Sequence, residues 1–290
     1  MERGIPLKQT PPESKNHLMV NIGIIIMKLK KFISIIIIFV LALCGLFYIR
    51  NKLINRHDRV NRATVKVIIP EGYTNEQIGK ALEKSGLVTE KDFINQVENW
   101  SDNSYWFLKG IPKDKHKLDG FLYPATYTFA KNTSSKEIIN EMLKTFEINI
   151  QQSKSYINKN NLNIRNIVIT ASLIEKEARK DVDRPKIASV IYNRLNKNMP
   201  LQIDATILYV IGHKDKVYNK DLTVKSPYNT YLNKGLPPSP ICNPGIKSIN
   251  AAIHPENTNY LYYVLDTKTD THVFAETYAQ HIKNVSLYGK

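Results

Sequence analysis

The longest run of hydrophobic positions in the chain covers residues 32–49, which read FISIIIIFVLALCGLFYI. As a helix rising about 1.5 Å per residue, this run is just long enough to cross the hydrocarbon core of a membrane. It is long for the apolar part of a signal peptide, and no small-x-small cleavage site follows it. Lysines at 28–31 precede the run, as expected for a cytoplasmic N-terminus, but basic residues also follow it. The pattern predicts a cytoplasmic segment at 1–31, an uncleaved transmembrane anchor at 32–49 and a polar linker at 50–64.

A small αβ module is predicted directly after the linker. Apolar positions alternate along residues 65–69 as in a strand, and Pro70–Gly72 has the composition of a turn. Thr74 and Gln77 form a capping box that starts a helix, and a second helix begins at Thr89. A module of about forty residues with this order is typical of wall-binding domains. A packing subdomain without a ligand of its own is an equal alternative.

Two further elements complete the region 65–160. Residues 118–129, LDGFLYPATYTF, are rich in aromatic side chains and predict a pair of strands broken at Pro124. Residues 134–148 place apolar side chains at helical spacing, which predicts an amphipathic helix. Neither element contains a residue pattern typical of catalysis.

The region 161–290 begins with a helix of unusual composition. Residues 164–178, IRNIVITASLIEKEA, are apolar on almost every face, which predicts a buried central helix. A second helix is predicted from Asp183 to Leu195, and a third starts at Asp204; in both cases the aspartate is the expected N-cap.

The rest of this region combines a long loop with further helices and a hairpin. Residues 226–245 contain five prolines and two glycines, and long ordered loops of this kind are usually functional. The following patterns predict a helix at 246–253, a hairpin of strands at 260–265 and 272–275, and a helix from Tyr278 onwards. The fold class is therefore α+β, behind an N-terminal transmembrane helix.

Charge and composition narrow the classes of partner. The formal net charge is +15, which suits a polyanion such as an anionic membrane surface, an acidic cell-wall polymer or nucleic acid. The positive residues are scattered and no basic-aromatic motif occurs, so nucleic acid is the weakest of these. Cys44 lies within the apolar run and Cys242 in the Pro-rich loop, so we expect no disulfide. The seven histidines show no metal-ligand spacing, and we expect neither a metal nor a cofactor.

Glu175 and Glu177 are the strongest candidates for chemistry. A carboxyl group at the end of a buried apolar helix has a raised pKa, because burial disfavours its charged form. A glutamic acid that keeps its proton near neutral pH is the general acid that glycosidic cleavage needs. Two residues apart on a helix, the two side chains point roughly 200° away from each other, so only one should face a cleft. We favour Glu177, with Glu175 paired to Arg179 at i,i+4; the alternative is that both are surface charges on a frayed last turn.

Other residues are candidates for binding. Asp204 is either a second carboxylate in the site or only a helix N-cap. His254 either faces substrate or simply ends a helix. Tyr228, Asn229 and Thr230 supply an aromatic face, an amide and a hydroxyl, which suit the stacking and hydrogen bonding of sugars but also a plain turn.

Several motifs, in the same order, resemble the endolytic murein transglycosylase family. They are PEGYTNEQI, LDGFLYPATYTF, ASLIEKEA, ASVIYNRL, LQIDATILY, SPYNTY, GLPPSPICNPG, AAIHPENTNYLYYV and HVFAETYAQH. The resemblance covers the chain from about Val65 to the end. It implies a small LysM-like, wall-binding subdomain within 65–160 and a mixed α+β catalytic domain at 161–290.

The resemblance also implies an activity and a place in the cell. The family cleaves the MurNAc–GlcNAc bond inside nascent peptidoglycan strands, leaves 1,6-anhydroMurNAc ends and so ends strand elongation. The catalytic glutamate carries over to Glu177, with Glu175 as the fallback, and Gln202, Asp204, Tyr228, Asn229 and Thr230 are expected to position the strand. The expected location is the bacterial inner membrane, with the catalytic domain outside the cytoplasm and cell-wall synthases as partners. A membrane-anchored hydrolase and a non-catalytic wall-binding scaffold are the alternatives.

Overall fold

The structure is a computed structural model, and it describes residues 27, 39–52, 63–212, 214 and 217–289. By its internal contacts the chain divides into two compact units, Met1–Arg62 and Ala63–Lys290. In the first unit, residues 39–52 form helix α1, with exposed side chains throughout. Among the described residues, no helix is both long enough and apolar enough to cross a membrane. Residues 32–38 of the predicted anchor, and most of the predicted segments 1–31 and 50–64, lie outside the described residues, so the anchor stays a prediction.

The second unit is a mixed α+β structure, as the sequence predicts. Its two small antiparallel sheets pair β1 (Thr64–Ile68) with β2 (Thr126–Ala130), and β3 (Tyr262–Asp266) with β4 (Thr271–Ala275). Its longer helices are α2 (Asn75–Lys84), α3 (Glu90–Glu98), α4 (Ser135–Lys159), α5 (Ile164–Glu177), α6 (Arg184–Asn196), α7 (Asp204–Ile211), α8 (Ile246–Ile253) and α9 (Tyr278–Tyr288). The predicted division between 65–160 and 161–290, and the LysM-like character of the first part, stay predictions.

Helix α5 is the buried centre of this unit, as its composition predicts. The eight residues from Ile167 to Ile174 are all buried, and the helix packs against α6, α7 and α8. Asn163 caps its start by accepting a hydrogen bond from the backbone N–H of Asn166, and the chain leaves helical geometry at Ala178. Helix α5 therefore presents its last turn, which carries both candidate glutamates, at the edge of the core.

The Pro-rich loop is fastened to the start of the unit by one side chain. The Asn243 Oδ1 accepts the backbone N–H of Leu122 at 2.9 Å, while its Nδ2 donates to the Tyr73 carbonyl and to Asn75 Oδ1, both at 3.0 Å. Asn243 is 1% exposed. Because an unpaired buried amide is costly, these three bonds fix the loop against residues 72–75 and 119–122.

Two predicted elements differ from the structure. The expected strand pair at 118–129 is wrong: only β2 is a strand, and the chain turns at Gly120, where φ is +81°. Leu118, Phe121 and Leu122 are all buried there, so their side chains do not alternate between two faces as strand residues would. The helix predicted at 134–148 continues to Lys159, because apolar side chains at Ile150 and Ile157 extend its buried face.

The predicted cap at Asp204 is wrong, and Asp183 is the N-cap residue of α6 as predicted but makes no capping bond. Asp183 occupies the N-cap position of α6, but its carboxylate makes no capping bond and instead accepts two hydrogen bonds from His272. Asp204 is the first residue of α7, where Ile203 is the N-cap, and its carboxylate bonds to Tyr231. In both cases a partner distant in sequence takes the oxygen that a local cap would have used.

Candidate active site at the end of the central helix

The last turn of α5 directs Glu175 and Glu177 to different neighbours. The Glu175 carboxylate contacts Arg184 at the start of α6 and Gly245 at the start of α8. The Glu177 carboxylate contacts Tyr263 on β3 and Ala205 at the start of α7. This divergence agrees with the angle of roughly 200° between residues two apart on a helix. The two glutamates therefore belong to two separate environments.

On the Glu177 side, none of the cations that the structure describes contacts the carboxyl group. The hydroxyl of Tyr263 donates to Glu177 Oε2 at 2.9 Å, and the backbone N–H of Ala205 donates a second hydrogen bond. Burial raises the pKa of Glu177 to about 7, with a smaller contribution in the same direction from the charge of Asp204; the two hydrogen bonds oppose the shift. At neutral pH a large fraction of Glu177 therefore carries the proton that a general acid must deliver.

Tyr263 is the residue of this site that sequence reasoning missed. Burial raises the pKa of Tyr263 well above its usual value, and the adjacent Glu177 carboxyl raises it further, so the phenol stays a donor. Eighty-six residues separate it from Glu177, and its strand, YYVLD, reads as ordinary hairpin sequence. No local pattern could have paired the two.

A second carboxylate, Asp204, lies close enough to Glu177 to affect its titration. The Tyr231 hydroxyl donates to Asp204 Oδ1 at 2.5 Å. Burial and this hydrogen bond raise the pKa of Tyr231, so it also remains protonated. Asp204 is exposed, so its other oxygen is open to a ligand. The prediction that Asp204 lies at the site agrees with this placement.

Gln202 lies at the edge of the same site. Its side chain is exposed, and its backbone has a φ of +54°, which is uncommon for a residue other than glycine. The conformation is held by its N–H donating to the Thr230 carbonyl at 3.0 Å and by Arg194 donating to Gln202 Oε1 at 3.2 Å. Gln202 is therefore fixed in place with its side chain near the surface.

The loop residues Tyr228, Asn229 and Thr230 lie behind this surface. Asn229 is fully buried and donates to the carbonyls of Leu222 and Val224, at 2.9 and 2.8 Å. Thr230 is 2% exposed, and its hydroxyl accepts the Ile203 N–H at 3.0 Å. The Tyr228 hydroxyl lies 2.6 Å from that of Ser239. The structure thus gives all three internal partners, and their contact with substrate stays a prediction.

His254 is placed apart from the glutamates by its neighbours. It is exposed at the C-terminal end of α8, and its ring lies against Tyr156 of α4, with 4.4 Å between ring centroids. Within the described residues, no hydrogen bond or ring contact joins it to Glu177 or Asp204. The structure does not bring His254 together with the other candidates.

The Glu175 side is a network of charges. Arg184 Nη1 donates to Glu175 Oε1 at 3.3 Å, and the Gly245 N–H donates to Oε2 at 2.9 Å. The Glu175 and Arg184 side chains are only 7% and 11% exposed. The predicted partner Arg179 and the alternative of a frayed surface turn are both wrong. After α5 the chain folds back through a 3-10 turn at Asp181–Asp183, which delivers Arg184 to Glu175.

A further carboxylate and a serine complete this network. Arg184 also donates to Ser248 Oγ and to Asp181 Oδ1, the latter at 3.1 Å. Burial raises the pKa of Glu71, and the nearby charge of Glu175 raises it further. Carboxylates and cations here compensate one another, which suits structural cohesion more than proton transfer.

A pocket of the described surface lies apart from both glutamates. Its cavity volume is about 80 Å³, it lies between α2, α3 and the Pro-rich loop, and its lining includes Asn75, His116, Asp119 and Tyr209. Asp119 accepts hydrogen bonds from both His116 Nδ1 and Asn75, each at 2.8 Å. Neither Glu175 nor Glu177 lines this pocket, so pocket shape alone would not have found the candidate acid. Among the residues that the structure describes, no three potential metal ligands come together. Cys44 and Cys242 are both free thiols, as predicted.

The chain is similar to two proteins that are named endolytic murein transglycosylase. An endolytic murein transglycosylase of Bacillus subtilis (strain 168) is 41% identical over 237 residues, which are 77% of this chain and 65% of that protein. One of Streptococcus pneumoniae serotype 2 is 34% identical over 239 residues, 75% of this chain and 43% of that protein. The chain thus spans somewhat less than two thirds of the first relative's length and under half of the second's.

A solved structure and a family model extend the comparison. The crystal structure of a yceG-like protein from Listeria monocytogenes superposes with a TM-score of 0.67 at 39% identity, over 76% of this chain and 75% of that one. The model of the YceG-like family matches residues 48–287. This match includes α5, the hairpin that carries Tyr263 and every residue described at the candidate site. The chain belongs to the YceG-like family.

Proposed function

We propose that this protein is an endolytic peptidoglycan lytic transglycosylase that cuts the MurNAc–GlcNAc bond within nascent glycan strands. The observation that carries the proposal is Glu177, a carboxyl group with a pKa of about 7 that is held by a phenol and a backbone amide and contacted by none of the described cations. The relatives at 41% and 34% identity that are named endolytic murein transglycosylase support the same activity.

A single residue of this kind suffices for both proton transfers. Protonated Glu177 donates its proton to the O4 of the leaving GlcNAc as the bond from that oxygen to MurNAc C1 breaks. The resulting carboxylate then takes the proton of the MurNAc 6-hydroxyl while that oxygen bonds to C1. The product is a 1,6-anhydroMurNAc end, no water is consumed, and Glu177 returns to its protonated form. Because the attacking group belongs to the sugar, no second carboxylate is needed as a nucleophile, in contrast to the retaining hydrolases.

The groups around Glu177 suit the intermediate stage of this reaction. As C1 loses the leaving oxygen, positive charge develops on the sugar ring, and the exposed carboxylate of Asp204 is placed to stabilise it. Gln202 offers an amide beside it to a sugar hydroxyl. The loop residues Tyr228, Asn229 and Thr230 would support the site without touching the reacting atoms, since Thr230 binds the backbone N–H groups of both Gln202 and Ile203. His254 belongs to this site only if a long strand reaches α8.

The cellular setting forms part of the same proposal. The apolar run at 32–49 would anchor the chain once in the inner membrane, with the N-terminus in the cytoplasm and residues 63–290 outside it. There the protein would meet strands as cell-wall synthases extend them, and its cuts would end strand elongation. The LysM-like part of 65–160 would hold the strand. The net charge of +15 favours an anionic wall or membrane surface as the partner.

The test is the mass of the products. Un-cross-linked glycan strands incubated with the purified full chain should yield new ends that are one water lighter than hydrolysed ends. The Glu177→Gln variant serves as the matched control, since it keeps the shape of the side chain and removes the transferable proton. Ends of hydrolysed mass would favour a membrane-anchored hydrolase instead. Binding to strands without any new ends would favour a wall-binding scaffold.

A further inference from the structure

We infer that Asp183 and His272 are positioning residues for the acid, which they orient through Tyr263; the inference rests on the proposed function. The Asp183 carboxylate is 4% exposed and the His272 side chain 5% exposed. Asp183 Oδ2 accepts the backbone N–H of His272 at 2.8 Å and lies 3.0 Å from its Nδ1. The second contact requires a proton on Nδ1, which fixes the orientation of the ring. One carboxylate oxygen thus holds both the backbone and the ring of His272.

His272 in turn supports the Tyr263 ring. In the β3–β4 hairpin, Tyr263 lies opposite Phe274, and His272 is its diagonal neighbour on the same face. The His272 and Tyr263 ring centroids lie 5.3 Å apart at an interplanar angle of 89°, and the Phe274 centroid lies 6.1 Å from that of Tyr263 and 6.3 Å from that of His272. Tyr263 therefore packs against two aromatic rings that also lie near each other: hydrogen bonds to Asp183 anchor His272, and the Lys186 ammonium lies over the Phe274 ring.

A continuous series of contacts leads from Glu177 through the hairpin and back to the segment that follows α5. Glu177 bonds to Tyr263, Tyr263 packs on His272, His272 bonds to Asp183, and only the short connection 178–182 separates Asp183 from Glu177 in the chain. The same connection carries Lys180, which pairs with Asp270 in the hairpin turn at 3.7 Å. A shift of the hairpin relative to α5 would therefore have to break the Asp183 contacts before it could move the phenol away from Glu177.

The energetics favour positioning over bulk stability as the role of this pair. A buried carboxylate–histidine pair gains little over an apolar replacement of similar size, because desolvation offsets its attraction. By contrast, a displacement of about 1 Å at a catalytic group can reduce the rate on the order of 100-fold. The Asp183 carboxylate also binds His272 instead of making a capping bond at the start of α6.

The pH profile of the reaction distinguishes positioning from structural support. The Tyr263 hydrogen bond lowers the pKa of Glu177, so its loss raises that pKa further. Because the first step needs protonated Glu177, activity falls as pH rises through this pKa, and a raised pKa moves the alkaline limb to higher pH. A variant that only destabilises the fold lowers the amount of folded protein, but the alkaline limb of its activity profile stays at the same pH.

The experiment measures rates of anhydro-end formation against pH for the full chain and four variants: Tyr263→Phe, Asp183→Asn, the double variant and Asp181→Asn. We expect Tyr263→Phe and Asp183→Asn each to move the alkaline limb to higher pH and to lower kcat about tenfold, with little change in KM. In the double variant, Asp183→Asn should add no further shift of the limb, since both act through one hydrogen bond. Asp181→Asn, on the same turn but in contact with Arg184 and Lys247, should leave the limb in place.

Two results would overturn the inference: an unmoved limb in Asp183→Asn, or shifts that simply add in the double variant. If Asp183→Asn fails to fold, His272→Asn replaces it, since its amide still donates to Asp183 while the ring that supports Tyr263 is gone. Glu177→Gln is measured alongside. A near-normal rate in Glu177→Gln would defeat the proposed function, whereas a Glu177→Gln rate lowered by at least about 100-fold, together with a normal Asp183→Asn, would defeat only the positioning role.

Discussion

The two sides of the last turn of α5 surround similar carboxyl groups with different partners. On one side, Glu175 meets a guanidinium and the first amide of α8, in a network that also contains Asp181 and Glu71. On the other side, Glu177 meets a phenol and one amide, and the charge of the Asp204 carboxylate raises its pKa. We call these the charged side and the phenol side.

The difference shows that burial alone does not make an acid. Both side chains leave the same buried helix, but the Glu175 carboxyl group on the charged side pairs with the Arg184 guanidinium. On the phenol side, no cation of the described residues contacts the carboxyl group, and burial raises the pKa of Glu177 to about 7. The partners that decide the outcome come from α6, α8 and β3, all later in the chain than α5.

The largest effect is expected from removing the proton on the phenol side. Glu177→Gln should lower the rate of anhydro-end formation by about 10²–10⁴-fold, since this is the usual contribution of general acid–base catalysis. Rates are measured by mass spectrometry of released ends and divided by the folded fraction. An active Glu177→Gln would show that the two sides do not differ in catalytic role.

The matching change on the charged side should affect stability instead. Glu175→Gln leaves Arg184 without its least exposed anionic partner, so we expect the free energy of unfolding to fall by about 2 kcal/mol. The amide still accepts one hydrogen bond, and Asp181 still pairs with Arg184, which limits the loss. Denaturant unfolding of the full chain measures the change. Activity per folded molecule should remain near that of the unmodified chain; an inactive but stable Glu175→Gln would move the acid to the charged side.

An effect of similar size concerns how the free energy of unfolding depends on pH. The pKa of Glu177 is about 7 in the folded chain against an ordinary value of 4.5 when unfolded, so between these pH values the unfolded chain releases a proton that the native state keeps. Stability from this group is therefore complete below pH 4.5 and is lost as pH rises to about 7. Glu177→Gln removes this loss, so the stability of the variant relative to the unmodified chain should rise by about 3 kcal/mol from pH 4.5 to pH 8, since one pKa unit corresponds to about 1.4 kcal/mol. A constant difference across this range would contradict the raised pKa.

The smallest effect is expected at Gly245, the residue before α8 whose backbone N–H donates to Glu175. A Cβ at this position would clash with the Glu71 carboxylate, but φ is an ordinary −77° and the exposed Glu71 side chain can move away. Gly245→Ala should therefore cost less than about 1 kcal/mol in unfolding free energy. A larger loss would mean that the charged side depends on a fixed position of Glu71.

The sequence predicted the secondary-structure elements better than it predicted the contacts between residues that are far apart in the chain. The composition of α5, the capping boxes and the hairpin pattern have local causes, and these elements form as expected. The capping bonds predicted at Asp183 and Asp204 do not form, because groups 89 and 27 residues away bind the carboxylates. The same limit applied to the site: helix periodicity separated Glu175 from Glu177, but only the folded chain reveals Arg184 on one side and Tyr263 on the other.

The most direct test of the difference between the two sides is a pH titration of the glutamate carboxyl carbons by ¹³C NMR, in the full chain and in Glu177→Gln. We expect one carboxyl group to titrate at about pH 7 in the unmodified chain and to be absent from the spectrum of Glu177→Gln, while Glu175→Gln retains it. If no carboxyl group titrates near pH 7, or if that signal persists in Glu177→Gln and disappears in Glu175→Gln, Glu177 is not the proton donor.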